Sequence, residues 1–254
     1  MYGAVIGDIV GSRFERHDHK SKEFQFFHPH CRYTDDSVLT IATFDALSIC
    51  QGDYTRLSEV AVDRFLFYGR RYRHAGYGKA FYLWLMDEEQ KPYNSWGNGA
   101  AMRVSPCAWF ARSLEEVKDL SYKVTSVTHN HPEGLKGAEA TAVAIYLART
   151  GHSKEEIASE MRKYYKIDFT LGEIRDTYSF DSSCQGTVPY AIVAFLESTS
   201  FEDAVRNAIS IGGDSDTLGA IAGSIAEGFY GIPDEMIEKA NQYLGFKERV
   251  VYPV

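Results

Sequence analysis

Apolar positions along this chain recur three and four residues apart far more often than two. That period predicts amphipathic helices over 37–50, 57–68, 114–129, 134–149 and 154–165, and again over 188–197, 201–209, 218–229 and 233–244. Valine, isoleucine, tyrosine and phenylalanine are common, yet they do not alternate, and no Asn-Gly turn joins two alternating runs; Asn98-Gly99 precedes a helical pattern instead. Boundary chemistry agrees. Ser153 and Glu156 have the spacing of a capping box, and Pro233 suits the first turn of the last helix. The reading is an all-α fold, a compact orthogonal helical bundle forming a single domain over 1–254, with no linker or repeat to divide it.

Two stripes of small residues connect the chain's ends. Gly3, Gly7 and Gly11 lie four apart, as do Gly219 and Gly223, with Ala222 and Ala226 nearby. Each helix therefore offers a face almost free of side chains, on which another backbone can approach closely. Plain core packing would account for such stripes. The sharper expectation is that these two helices press on each other beneath a site.

Composition narrows the function classes. The 254 residues, 44% of them hydrophobic, suffice for a large core, so the four cysteines are not needed as staples; they lack zinc-ribbon spacing and read as reduced thiols of a cytoplasmic protein. A net charge of -8 gives no basic footprint, so neither nucleic acid nor an anionic membrane is an expected partner. No signal-peptide pattern or run of about 18 apolar residues occurs.

Candidate chemistry concentrates in "YTDDSVLT" and "GGDSDTLG". Thr34, Asp35 and Asp36 stand immediately before one predicted helix; Asp214, Asp216 and Thr217 follow two glycines before another. A single aspartate at a helix start is ordinary capping. Two such starts, each with paired carboxylates and a threonine hydroxyl, are a repelling set that one or two hard divalent cations would neutralise, and oxygen-only donors favour magnesium, manganese or calcium over zinc. An EF-hand is excluded: Leu218 and Ile225 occupy positions where that loop needs oxygen ligands.

Other signals are weaker. "SWGNGAAMRVSP" has the glycine and asparagine of a loop whose amides receive phosphate, without being a Walker A loop. His129 and His131, like His28, His30 and Cys31, lack a spaced partner pair for zinc; His131 is a candidate for a substrate pocket. The aromatic residues between Phe65 and Trp84 read as core or pocket wall.

Taken in order, "GAVIGDIVGSRFE", "YTDDSVLT", "SWGNGAAMRVSP", "THNHPEG" and "GGDSDTLGAIAGSIAEGFYG" resemble the ADP-ribosylglycohydrolase family, that of the dinitrogenase-reductase-activating glycohydrolase, from Gly3 to about Gly231. The resemblance implies a binuclear Mg²⁺ or Mn²⁺ centre at the bottom of a cleft, ligated by Thr34, Asp35, Asp36, Asp214, Asp216 and Thr217. It implies Glu15 beside the metals, Asp36 or Glu15 as general acid or base, and contact with ADP-ribose from Asn98, Gly99 and Met102, with Gly97 and Ala100 beside them and His131 farther out. The cations would grip the ribose hydroxyls and activate a water while the glycosidic bond breaks. The substrate would be an ADP-ribosylated protein, modified arginine foremost, or a small ADP-ribosyl compound, acted on by a monomer. Serine linkages, base linkages and a non-turnover binding or structural role on the same scaffold are the alternatives. Ser215 stands where the family commonly has threonine, outside the ligand set.

Overall fold

The computed structural model describes residues 1–244. Among these, thirteen α-helices follow one another: α1 Tyr2–Gly11, α2 Asp35–Cys50, α3 Leu57–Arg71, α4 Lys79–Met86, α5 Ser105–Phe110, α6 Leu114–Thr125, α7 Pro132–Arg149, α8 Lys154–Met161, α9 Leu171–Ile174, α10 Cys184–Leu196, α11 Phe201–Ile209, α12 Ser215–Tyr230 and α13 Asp234–Asn241. A 3₁₀ turn, Asn98–Ala100, precedes α5, and the described residues contain no strand beyond one antiparallel bridge between Gly97 and Ser183. The fold is all-α, as the periodicity predicts.

Boundaries shift where side chains cap earlier or later than the apolar pattern. The helix expected over 114–129 ends at Thr125; the amides of Thr128 and His129 both turn back to the Thr125 carbonyl, and the residue before Pro132 is disfavoured from helical geometry. Pro132 then opens α7, two residues ahead of the expected start. The helix expected at 188 begins at Cys184, because the Ser183 hydroxyl accepts from the Gly186 amide at 3.0 Å; this leaves Pro189 inside it. Pro233 is the N-cap of α13 rather than its first residue, α8 stops at Met161, and the Ser153–Glu156 capping box is present. Two short helices, α5 and α9, span too few turns for the period to register, and α4, KAFYLWLM, is apolar almost all round and shows none.

The α1 and α12 stripes do meet. A Cβ added to Gly3 would strike the Gly223 carbonyl, one on Gly7 the Gly219 carbonyl, and one on Gly11 the Ser215 carbonyl; from the other side, a Cβ on Gly219 would lie 2.6 Å from the Gly7 oxygen. Both helices are buried along their contact, and the Glu227 carboxylate near the end of α12 accepts from the amides of Tyr2 (3.2 Å) and Gly3 (2.8 Å), closing the start of α1. The antiparallel contact therefore runs from that cap to Gly11, which rests against Ser215 and Asp216, the first turn of α12.

Gly7→Val should cost about 3 kcal/mol, because the obstruction is backbone and no side chain can yield. Thermal unfolding of the purified variant checks this: a melting temperature equal to the wild type's would contradict the close contact.

Candidate metal centre

Two helix N-termini face each other at the end of the α1–α12 contact. Thr34 caps α2, its hydroxyl accepting from the Asp36 amide at 3.3 Å, so Asp35 and Asp36 occupy the first turn. Asp214 occupies the N-cap position of α12, with Asp216 in its first turn. Gly212 and Gly213, at φ +74° and +71°, make the preceding turn, a backbone conformation glycine adopts freely. The positive ends of both helix dipoles thus favour the charged forms of four carboxylates.

Asp8 joins the two elements. Buried on α1, it accepts from the Thr34 amide (2.9 Å) and hydroxyl (2.7 Å), and from the Ser37 amide (3.0 Å) and hydroxyl. These bonds fasten the start of α2 onto α1. Sequence reasoning passed over Asp8; the available signal is that it is the only charged residue in the apolar stretch "YGAVIGDIVG".

Carboxylate oxygens of Asp8, Asp36 and Asp216 all lie within 4.8 Å of one another, and those of Glu15, Asp214 and Asp216 do likewise. Asp216 belongs to both groups. Among the described residues no lysine or arginine forms an ion pair with these aspartates, and Asp36 Oδ1 is buried without a hydrogen-bond partner. Burial, then the neighbouring negative charges, raises Asp35 to about 8 and Asp36 and Asp216 well above the ordinary carboxylate value. Asp8 rises to about 6 through burial, against its hydrogen bonds, and Asp214 rises through burial, against its bond from Asn98. An unpartnered buried oxygen among uncompensated hard donors fits divalent cations of the magnesium, manganese or calcium type.

Above these groups opens a cleft of about 390 Å³. Of the residues singled out by sequence, Glu15, Asp35, Asp36, Asp214, Asp216 and Thr217 line it, and the Thr217 hydroxyl lies 3.4 Å from Asp36 Oδ2. Thr34 lies beneath the cleft, its hydroxyl engaged with Asp8. Gly97, Asn98, Gly99 and Met102 form one wall, whereas Ala100 is fully buried. The Asn98 amide is already committed, donating to Asp214 Oδ2 at 2.7 Å and to the Thr187 hydroxyl at 3.0 Å, so it orients a carboxylate of the centre.

The histidine in this wall is His129. His131 stands outside the lining, its Nδ1 accepting from the Glu133 amide as the cap of α7 and its ring against Trp96. His129 is 5% exposed, and its Nε2 would lie 3.4 Å from a Cβ on Gly99. Its state follows from its neighbours. Arg103, fully buried with its guanidinium 4.4 Å over the Phe65 ring, donates to the Thr128 hydroxyl at 2.5 Å, and that hydroxyl lies 2.8 Å from His129 Nδ1. The Thr128 hydroxyl has two acceptors in reach, His129 Nδ1 and the Thr125 carbonyl at 3.4 Å, so either ring nitrogen of His129 can carry the hydrogen. Burial, then the Arg103 charge, holds the His129 pKa well below its usual value and keeps the ring neutral.

The raised carboxylates fix a pH dependence. Between the ordinary 3.8 and about 8 the folded, metal-free protein holds protons that the unfolded chain releases, so its stability falls as pH rises through that interval. Divalent cations displace those protons and reverse the trend. Thermal melts across the interval, with chelator and with Mg²⁺ or Mn²⁺, should show the melting temperature falling with pH in chelator and the metal-induced increase growing with pH. A cation-induced increase independent of pH would contradict the buried cluster.

No described helix is long and apolar enough to cross a membrane. The chain matches the family model "ADP-ribosylglycohydrolase" over residues 1–251. It is 27% identical to the ADP-ribosylarginine hydrolase Tri1 of Pseudomonas putida (strain GB-1), over 94% of this chain and 72% of that protein. To the ADP-ribosylhydrolase ARH3 of Homo sapiens it is 24% identical, over 95% and 87%. A solved structure described as an ADP-ribosylglycohydrolase-related protein complex shares the fold at a TM-score of 0.70 and 24% identity, covering 94% of this chain and 93% of that one. With a family match that takes in every helix described above, the chain belongs to the ADP-ribosylglycohydrolase family, enzymes that hydrolyse ADP-ribosyl linkages.

Proposed function

We propose that the protein removes ADP-ribose from modified arginine, using two divalent cations, Mg²⁺ or Mn²⁺, held by Thr34, Asp35, Asp36, Asp214, Asp216 and Thr217. The observation that carries this reading is the pair of carboxylate groups that share Asp216 on the floor of the cleft. Its substrates would be ADP-ribosylated proteins or small ADP-ribosyl compounds, and it would act as a cytoplasmic monomer. A relative at 27% identity is named for ADP-ribosylarginine, which supports arginine as the acceptor.

Bound cations would supply a template for the ribose hydroxyls and lower the pKa of water at the anomeric carbon. The chain's own residues do the rest. Gly97 and Gly99 leave room for the ADP-ribose backbone to approach, and the neutral His129 presents Nε2 to a ribose hydroxyl, as donor or acceptor according to its tautomer. Asn98 and Asp8 hold Asp214 and the start of α2 in place. Water oxygen bonds to the anomeric carbon as the carbon–nitrogen bond breaks, its electron pair passing to the guanidino nitrogen, which takes up a proton. Glu15, half-buried at the cleft, takes the proton from water; Asp36, deeply buried with both threonine hydroxyls beside one oxygen, serves as a ligand.

The test measures free ADP-ribose released from arginine-linked and serine-linked peptides, with Mg²⁺, Mn²⁺ or chelator. Release from the arginine-linked peptide, lost in chelator, is expected; release from the serine-linked peptide alone would contradict the arginine reading. Asp216→Asn removes a member of both carboxylate groups and should lower turnover at least about a thousandfold with the helical circular dichroism unchanged. Undiminished turnover in that variant would remove the metal-centre argument.

A further inference from the structure

A second cavity, of about 540 Å³, adjoins the first, and the two share only Glu15 and Phe180 among their lining residues. Glu15 belongs to one of the carboxylate groups, so the centre stands where the cavities meet. A substrate cut there must extend both ways from the broken bond. The first cleft carries the glycine wall and the neutral His129 ring that suit ADP-ribose; the second is bounded by Arg16, Asp18 and Ser179, with Phe180, 56% exposed, between the two.

We infer that the second cavity is the acceptor subsite, which receives the modified arginine of the target and its flanking peptide while ADP-ribose fills the first cleft. This rests on the hydrolase reading above. Glu15 and Asp18 bring two carboxylates to the cavity's lining, beside Arg16 and His17, and the exposed Phe180 ring offers the flat surface on which a guanidinium stacks. The wall is fixed to the centre. Lys20 Nζ pairs with Asp18 at 2.9 Å while donating to the Tyr178 carbonyl (2.6 Å) and the Ile211 carbonyl (2.7 Å), so one ammonium ties Asp18, the segment leading to Ser179 and Phe180, and the turn that precedes Asp214. Asp18 nonetheless keeps 62% of its side chain exposed.

Two exposed substitutions test the assignment. Ser179→Trp fills the cavity and should lower kcat/KM on arginine-linked peptides at least about tenfold, with calorimetric affinity for free ADP-ribose in Mg²⁺ unchanged. Asp18→Asn keeps an acceptor for Lys20, removes the charge, and should raise KM for the arginine-linked peptide about three- to fivefold, as expected of one exposed ion pair, with ADP-ribose affinity again unchanged. Wild-type kinetics in both variants, or a matching loss of ADP-ribose affinity, would overturn the subsite. Failure of the wild-type enzyme to release ADP-ribose from any peptide would instead overturn the hydrolase reading on which the subsite rests.

Discussion

Everything at the centre depends on two helices touching backbone to backbone. Five glycines, three on α1 and two on α12, remove the side chains that would otherwise hold the axes apart, and the contact continues to Gly11 against Ser215 and Asp216. That proximity brings Asp8 and Asp216, 208 positions apart in the chain, into one group with Asp36. Any Cβ on the stripe would separate the ends of the chain and pull the cluster open. The core here is shaped by what the sequence omits.

Electrostatics then runs against the fold. Carboxylates packed without a basic partner raise one another's pKa values, and helix dipoles, hydroxyls and the Asn98 amide offset only part of the repulsion. The cluster is strained by its own charge, which is the condition under which a site gains most from binding cations. Arg103 shows the opposite arrangement: a lone buried cation, lowered to about 10 by burial yet still charged, stacked on Phe65, lining the cleft and bonded to the Thr128 hydroxyl beside His129.

Much of this was legible before folding. Period alone gives the helical class, and paired aspartates at two predicted helix starts mark the centre because a repelling set has few structural uses. Asp8 was not legible in that way, since its partners Thr34 and Ser37 are 26 and 29 positions away and an aspartate inside an apolar helix reads as an anomaly rather than a brace. His129 and His131 look equivalent in "THNHPEG"; the end of α6 at Thr125 and the cap demanded by Pro132 turn one toward the cleft and the other onto the α7 amides. The acceptor side was hidden for a related reason. Glu15, Asp18 and Ser179 come from segments far apart in the chain, joined in part by the bonds of Lys20.

The central claim is that two helix starts share one binuclear centre through Asp216. Electron paramagnetic resonance of the protein titrated with Mn²⁺ reads this most directly. Two ions bound per chain, with the exchange-coupled spectrum of a close pair, is the result the account predicts. A single uncoupled ion at saturation would contradict it.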